Sequence, residues 1–485
     1  MPKRTRAASI DDARREWEQL RRDNERVKRE NDRLREENAK LERERDRLRR
    51  EIERLTHALD AARRAGKRQA APFSKGAPTP QPKPSGRRAG RHHGRHGHRR
   101  PPTHIDETID VAMPARCPGC GGAVTETRVA DQIQEELPIV QPHVRRFRVQ
   151  IGRCGDCGRR VQGRHPLQTS DALGAASTHL GPQAVALIVL LNKYLGLSHG
   201  KIATLLRDWF GLTVRPSAVT DALHRAARQA APTYGALREA IRASPVVSPD
   251  ETSWKVGGRL QWLWVFATPS VILYAIQAGR GFSQAAAILG ADFNGVLVRD
   301  GWAPYRRFEH AAHQTCLAHL LRRTRELATD HPRAAWPDRI HAVLQQALAV
   351  RDRRASGDIT SHGAAVARGR LFNDLADLVN QPVRTPALQR FAAHLAVELP
   401  AVFGFLFDPA VDATNGRAEQ ALRPAVVNRK VSGGNRAPRG VTTQQILASV
   451  VHTARVRGLN VRTVLVDLLR TRQPTVSPAL ATPLQ

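Results

Sequence analysis

Two acidic side chains occupy positions where a protein could hold a divalent cation. Asp250 follows the apolar pair Val246-Val247, and Asp300 follows the apolar run Val296-Leu-Val298. Carboxylates at neighbouring strand ends can share a hard cation such as Mg²⁺, which prefers a few oxygen ligands and retained waters. Asp also favours turns, so an ordinary strand end is the competing interpretation of these two acids alone.

A third acid lies on a helix predicted to begin at about residue 414. Asn415, Glu419 and Arg423 follow one another at intervals of four, so they share one helix face. An amide, an acid and a guanidinium in line suit metal and phosphate chemistry better than core packing. Further basic groups that could hold a phosphodiester follow, although an ordinary basic loop explains them equally well: Arg429, Lys430 and Arg436 beside Gly433-Gly434.

Four of the five cysteines form two C-x-x-C pairs, Cys117-Pro-Gly-Cys120 and Cys154-Gly-Asp-Cys157. Each such turn presents two thiolates at one corner of a tetrahedron, so the pairs predict a zinc ribbon with structural Zn²⁺ at residues 105–165. The 33 residues between the pairs exceed the commonest spacing, which leaves a redox dithiol or unligated cysteines as alternatives. Arg145, Arg146 and Arg148 lie in the alternating segment that precedes the second pair.

The N-terminal region predicts a leucine zipper over residues 10–60. One heptad position holds mainly leucine, and the other holds asparagine in successive heptads. Asparagine in the seam favours a parallel, in-register homodimer at a cost in stability, and a single exposed helix is the alternative. The leucine-type position holds Leu20, Val27, Leu34, Leu41, Leu48 and Leu55, and the second position includes Asn24, Asn31 and Asn38.

The chain carries 77 Lys and Arg against 45 Asp and Glu, a formal charge of +32, which indicates a polyanionic partner such as DNA. Residues 61–104 are rich in Arg, Pro and Gly and predict a disordered basic linker. No apolar run approaches the roughly 18 residues that span a bilayer, and no secretory signal is evident, so we expect a cytoplasmic protein without a membrane partner.

The remaining sequence predicts a helical region followed by an α/β core. Residues 175–243 have helical periodicity, and a DNA-reading helix-turn-helix and simple helix packing fit it equally well. Short apolar strands begin at Val246, and a helix is expected near Phe282 to Leu289. We place the core at residues 244–470, with a helical insertion at about 320–410 and a frayed tail at 471–485. The fold class is therefore multidomain α/β.

Several ordered motifs resemble DDE transposases of the insertion-sequence-66 family. The resemblance also includes the zinc module and the coiled coil, so it covers most of the chain apart from the linker and tail. The motifs are Ser248-Pro-Asp250-Glu-Thr252, Trp262-Leu-Trp264-Val-Phe266, Arg299-Asp300-Gly-Trp-Ala-Pro-Tyr305, Cys316-Leu-Ala-His319 and Asn415-Gly-Arg-Ala-Glu419-Gln-Ala-Leu-Arg423-Pro424.

The resemblance implies an RNase H-like core in which Asp250, Asp300 and Glu419 are the catalytic triad and bind Mg²⁺ or Mn²⁺. It implies DNA cleavage and strand transfer, with transposon terminal inverted repeats and target DNA as partners, and accessory proteins of the same element as further partners. Cys316 and His319 match a C-x-x-H pair of related families. Two ligands do not complete a zinc site, so we expect these two residues, with Asn415, to pack or to position DNA.

Three other functions compete with this one. The nearest is an RNase H-like nuclease that cuts DNA without strand transfer. A catalytically inactive DNA-binding regulator would need only the zipper, the zinc ribbon and a helix-turn-helix. An RNA-binding scaffold is supported by net charge alone, since the chain lacks aromatic-rich recognition strands.

Overall fold

The computed structural model describes residues 5–66, 102–174 and 178–481. Two compact units divide the chain, Met1–Thr127 and Arg128–Gln485. Helices combine with a mixed five-stranded sheet in the second unit, which confirms the α/β class. In the described part, no helix combines the length and the apolar character needed to cross a bilayer.

The first unit is dominated by one helix, α1 (Thr5–Gly66). It extends beyond both ends of the predicted zipper, so the first six residues of the predicted linker are helical and residues 67–101 lie outside the described residues. The heptad side chains are open to solvent, with Leu34 52% and Leu41 62% exposed. Among the described side chains of α1, the leucine-type heptad positions therefore form an exposed apolar stripe on a charged helix.

The second unit begins with a short antiparallel hairpin, β1 (Ile151–Arg153) and β2 (Arg160–Gln162). It encloses the second cysteine pair. In the alternating segment that precedes this pair, Ile151 belongs to β1, and Arg145, Arg146 and Arg148 lie outside it.

The central sheet has the strand order β5-β4-β3-β6-β7. The first three strands along the chain form an antiparallel meander, whereas β6 and β7 run parallel to β3. Helices cover both faces, so β4 is buried without a break from Leu263 to Ala267. The strands are β3 (Val246–Val256), β4 (Arg259–Ala267), β5 (Ile272–Gln277), β6 (Val296–Arg299) and β7 (Ala312–Thr315). A helix, α5 (Phe282–Leu289), connects β5 to β6 as predicted.

The region with helical periodicity contains three α-helices that share a hydrophobic core with the sheet and the C-terminal helices. Ser198 caps α3, and Gly211 ends it in the left-handed conformation. The following helix α4 is 27 residues long and buries one complete face, so packing accounts for its apolar periodicity. The helices are α2 (Pro182–Val189), α3 (His199–Phe210) and α4 (Pro216–Arg242).

Four helices between β7 and the Glu419 helix enclose a second core. They occupy the place expected for the helical insertion. They are α6 (Leu317–Asp330), α7 (Trp336–Ala355), α8 (Ser361–Asn380) and α9 (Pro386–Glu398).

Four further helices complete the chain: α10 (Gly416–Ser432), α11 (Pro438–Val456), α12 (Val461–Arg470) and α13 (Pro478–Ala481). The segment that we expected to be a frayed tail packs onto α4 as far as residue 481. Thr233 Oγ1 donates to Thr475 O at 3.1 Å, and Ser477 N donates back to Thr233 Oγ1 at 2.9 Å. Leu480 is 2% exposed, so a buried contact overrides the proline-rich composition.

Candidate active site

Parallel pairing of β3 and β6 sets the positions of the two predicted aspartates in the inner part of the sheet. Asp300 directly follows β6 as expected, whereas β3 continues to Val256, so the expectation that Asp250 ends a strand is wrong. Val246 pairs with Val296, and Asp250 and Asp300 each lie four residues beyond that pair. Each carboxylate is oriented by a nearby backbone amide. Glu251 N donates to Asp250 Oδ1 at 2.8 Å, and Trp302 N donates to Asp300 Oδ1 at 3.0 Å.

Burial raises the pKa of Asp250 to about 7, and the negative charges of Glu251, Asp300 and Glu419 add to that rise. The hydrogen bond from Glu251 N opposes the rise without cancelling it. A carboxyl group that is buried among other acids favours a proton or a cation over a bare charge. The three predicted triad residues therefore interact electrostatically, and their oxygen donors suit a hard divalent cation.

Glu419 lies in the first turn of α10, close enough to Asp250 for its charge to raise the pKa of that residue. Asn415, directly before this helix, does not use its side chain as a cap. Its Nδ2 donates instead to Pro249 O at 2.8 Å, one residue before Asp250. Asn415 is 1% exposed, so the polar helix face predicted from sequence begins with a buried anchor between α10 and β3.

Cys316 and His319 lie beside Glu419, a contact that the sequence did not predict. In the described residues, one group of three or more potential metal ligands has all its ligand atoms within 4.8 Å of one another, and it is Cys316, His319 and Glu419. The Asp250, Asp300 and Glu419 oxygens do not meet that spacing as a set.

Glu251 is an acid that the sequence reasoning passed over. Its side chain is 1% exposed. Tyr305 Oη and Arg280 Nε each donate to it at 2.5 Å, and burial raises its pKa. The Arg280 guanidinium lies over the rings of Trp262 and Trp302, 4.9 and 4.1 Å from their centroids. This closed set of contacts holds the segment after Asp300 against β3.

A second buried network, also missed from sequence, fastens the insertion to the other side of Asp300. Arg299 donates to Glu398 Oε2 at 2.7 Å and to Asp300 O at 3.0 Å. Arg306 and Thr315 donate to the same carboxylate at 2.7 and 2.6 Å. Burial opposes ionisation of Glu398, but these donors hold its pKa below the usual value. A buried carboxylate with several partners costs stability if one partner is removed, so this network fixes the Asp300 backbone.

A cleft of about 290 Å³ opens beside the acids, between α6 and α9. Gly301 forms part of its wall, and a Cβ there would lie 2.6 Å from the His394 ring, so the glycine after Asp300 permits close packing of α9. Among the described residues that line the cleft there is no carboxylate. They are Gly301, Thr315, His319, Leu320, Arg323, Ala387, Arg390, Phe391 and His394.

The basic residues predicted to contact DNA fall into two groups. Arg423, Lys430 and Arg436 are exposed. Arg429 is engaged within the protein, because its Nη1 donates to Thr252 Oγ1 at 3.0 Å and to the backbone and hydroxyl oxygens of Ser253.

The turn after α10 is held firmly against the β3–β4 hairpin. Asn435 N donates to Lys255 O at 2.8 Å, and Trp254 Nε1 donates to Asn435 Oδ1 at 2.8 Å. Gly434 has a φ of 107°, and a Cβ there would lie 2.2 Å from Lys255 O. A glycine at position 434 is therefore required by close packing against β3. This packing explains the glycine without a phosphate-binding loop.

Each cysteine pair forms a tight turn. In the first, Cys117 N donates to Gly122 O and Gly121 N donates to Cys117 O, at 2.9 and 2.8 Å. Backbone amides that face the sulfur lower the pKa of Cys117, the amide of Gly119 most strongly. Such a turn suits a metal-bound thiolate.

The second turn repeats this pattern in the other unit. Cys154 N donates to Arg159 O at 2.9 Å, and Gly158 N donates to Cys154 O at 3.0 Å. The amides of Cys157 and Asp156 lower the pKa of Cys154. Cys120 and Cys157 are exposed.

Comparison with known proteins sets the class of this chain. Residues 177–443 match the family model described as the Transposase IS66 family. The matched region is more than half of the chain. The protein belongs to the IS66 transposase family.

A curated relative gives a more distant likeness. The chain is 26% identical over 270 residues to the uncharacterized protein y4jD of Sinorhizobium fredii (strain NBRC 101917 / NGR234). The alignment covers 49% of this chain and 52% of the relative, so the chain spans about half the length of the curated protein that it matches.

Proposed function

We propose that this chain cleaves and joins DNA as a DDE transposase, with Asp250, Asp300 and Glu419 as ligands of Mg²⁺ or Mn²⁺. The observation that carries the proposal is the parallel register of β3 and β6, which places Asp250 within β3 and Asp300 directly after β6, each four residues beyond the Val246–Val296 pair. The pKa of Asp250, raised first by burial and then by the neighbouring acids, supports it. Together these features describe carboxylates that a shared cation would stabilise.

Divalent cations bound there would activate a water or a DNA 3′-hydroxyl and stabilise the leaving oxygen. The protein's own part is to hold its ligands in place. The Glu251 and Trp302 amides orient the two aspartates, and Asn415 sets the position of α10 and therefore of Glu419. No side-chain nucleophile is required, so hydrolysis and strand transfer share one site.

The sheet and its insertion are proposed to be the RNase H-like core that the family resemblance implies. A mixed sheet with Asp250 within β3 and Asp300 directly after the parallel strand β6 supports this assignment, as does a four-helix segment between the second aspartate and Glu419. The Glu398 network would then keep the insertion from moving Asp300 when DNA binds.

DNA would approach over the exposed basic groups of α10 and the cleft beside Asp300. Arg423, Lys430 and Arg436 supply charge on one side. Arg323 and Arg390 supply it in the cleft, from α6 and α9. Phosphate contacts of this kind give affinity and register, whereas they carry no base sequence information.

The two cysteine turns are proposed to supply four thiolates to one structural Zn²⁺. The support comes from each turn by itself, since both lower the pKa of their first cysteine through backbone amides.

The exposed apolar stripe of α1 is proposed to pair with a second copy in a parallel homodimer, which would bring two transposon ends together. An accessory protein of the same element is the other candidate occupant of that stripe.

The discriminating experiment uses purified full-length protein, labelled DNA of the candidate transposon ends, and Mg²⁺. Cleavage followed by joining to target DNA identifies a transposase. Cleavage without joining identifies a nuclease. Binding without either reaction identifies an inactive DNA-binding regulator derived from a transposase.

A further inference from the structure

Three side chains of different chemistry meet beside the carboxylate pair. Cys316 directly precedes α6, His319 lies in its first turn, and Glu419 lies in the first turn of α10. Their potential ligand atoms are all within 4.8 Å of one another, and His319 Nδ1 is 3.8 Å from Glu419 Oε1. Tetrahedral zinc bonds of about 2.0–2.3 Å place neighbouring ligand atoms about 3.5 Å apart, so small side-chain shifts would close the set.

Two buried polar atoms without partners belong to His319 and to Asn415, which contacts Cys316 through its backbone. In the described part of the chain, His319 Nδ1 and Asn415 Oδ1 are buried side-chain atoms that have no hydrogen-bond partner. Asn415 adjoins the cluster because its backbone N donates to Cys316 Sγ at 3.1 Å. An orphaned buried polar atom costs free energy, and an ion or ordered water that binds it is the usual explanation.

The donor set selects the kind of ion. Thiolate sulfur and imidazole nitrogen are poor ligands for Mg²⁺ but good ligands for Zn²⁺ and Co²⁺. The Asn415 amide that donates to Cys316 Sγ holds the sulfur in position beside the other two side chains, and Cys316 itself is 0% exposed. Three protein ligands with a fourth position open are the pattern of a reactive zinc site rather than of a closed structural one.

We propose that Cys316, His319 and Glu419 form a binding site for one divalent cation of the Zn²⁺ class, distinct in donor chemistry from the oxygen ligands Asp250 and Asp300. Glu419 belongs to both sets. The effect of the site on catalysis rests on the proposed function, because a Zn²⁺-class ion would compete with Mg²⁺ for Glu419 and change the metal requirement of the enzyme. The existence of the site does not rest on that function. Its existence is measurable in the absence of DNA.

The test is a Co²⁺ titration of metal-depleted full-length protein, followed by the thiolate-to-cobalt charge-transfer absorption. The cysteine turns also bind Co²⁺, so the readout is the number of thiolate-bound cobalt equivalents in each variant. We expect Cys316→Ser to lose one equivalent relative to the wild type. His319→Gln and Glu419→Gln should weaken that equivalent at least tenfold.

Asp250→Asn is the matched control, because it alters the oxygen ligands and leaves the sulfur and nitrogen ligands intact. It should keep the full cobalt absorption although it abolishes DNA cleavage. Circular dichroism checks that each variant is folded, and half-exposed His319 provides a variant that does not disturb the core. Unchanged cobalt stoichiometry and affinity in folded Cys316→Ser and His319→Gln would overturn the site, whatever Asp250→Asn does to cleavage.

Discussion

Asp250, within β3, and Asp300, directly after the parallel strand β6, each lie four residues beyond the paired valines Val246 and Val296. A backbone amide fixes each carboxylate, and buried networks on either side brace the segment that carries Asp300. The acids are therefore held before any cation binds, which reduces the cost of assembling the site.

Cleft arginines are expected to contribute to DNA affinity. Replacing Arg323 and Arg390 with Ala should weaken binding of a labelled DNA end and lower the salt dependence of the binding constant, by about one unit of log–log slope for each phosphate that is no longer neutralised. Fluorescence anisotropy at several salt concentrations measures both quantities. Arg325→Ala with Arg384→Ala is the control, since both arginines are exposed and lie outside the cleft. Equal reductions of affinity in the two double variants would remove the cleft from the DNA path.

Zinc content tests the cysteine turns. If Cys117, Cys120, Cys154 and Cys157 hold one ion, freshly purified protein should contain one tightly bound Zn²⁺ per chain. Cys120→Ser should release it and make the region around the turns sensitive to protease, because binding free energy is folding free energy in such modules. Elemental analysis and limited proteolysis are the measurements. Protein without zinc would favour the redox dithiol instead.

The exposed stripe of α1 should carry dimerisation. Leu34→Lys with Leu41→Lys would place like charges in the seam, so we expect a monomer that still binds one DNA end but forms no paired-end complex. Light scattering and native gels with labelled ends report the two properties. Glu36→Lys with Ala39→Lys puts the same groups on outward positions and should remain dimeric. If the Leu34/Leu41 variant formed paired-end complexes at the same protein concentration as the wild type, the stripe would have to bind another partner.

A buried lysine gives the fold a specific pH dependence. Burial lowers the pKa of Lys193 to about 7, and its Nζ donates to Gln444 Oε1 at 2.6 Å. Between about pH 7 and 10.5 the unfolded chain binds a proton that the folded chain does not, so the free energy of unfolding rises with pH. Relative to Lys193→Met, the wild type should gain up to about 1.4 kcal/mol per pH unit in this window.

Urea unfolding at pH 7.5 and 9.5 measures this difference. Lys201→Met, at an exposed position, should retain the wild-type slope. Parallel pH dependences of the wild type and Lys193→Met would contradict the assignment.

Local patterns explain why part of this architecture was predictable. Apolar runs located β4, β5, β6 and the start of β3, because these residues are buried by their immediate neighbours, whereas the second half of β3 and β7 were not predicted. Asp250 and Asp300 stood out because each follows such a run. The α5 helix was placed from Phe282 to Leu289, where the structure has it.

Contacts between distant residues explain why the rest was not. Arg299 and Glu398 are 99 residues apart in sequence, and no local pattern indicates their ion pair. Arg429 resembled a DNA ligand until the fold placed Thr252 and Ser253 against it. Cys316 and His319 offered only two ligands, and the third became visible when α10 brought Glu419 beside them.

The most direct test of the central claim compares wild-type protein with Asp250→Asn, Asp300→Asn and Glu419→Gln in Mg²⁺-dependent cleavage and joining of labelled transposon ends. Glu309→Gln, at an exposed acidic position, is the control. We predict that each triad variant binds the ends with affinity within a few-fold of the wild type but cleaves and joins them at least ~10³-fold more slowly, because removal of a metal ligand acts on the transition state. Wild-type rates of joining in any one of the three would contradict the assignment of that residue to the metal site.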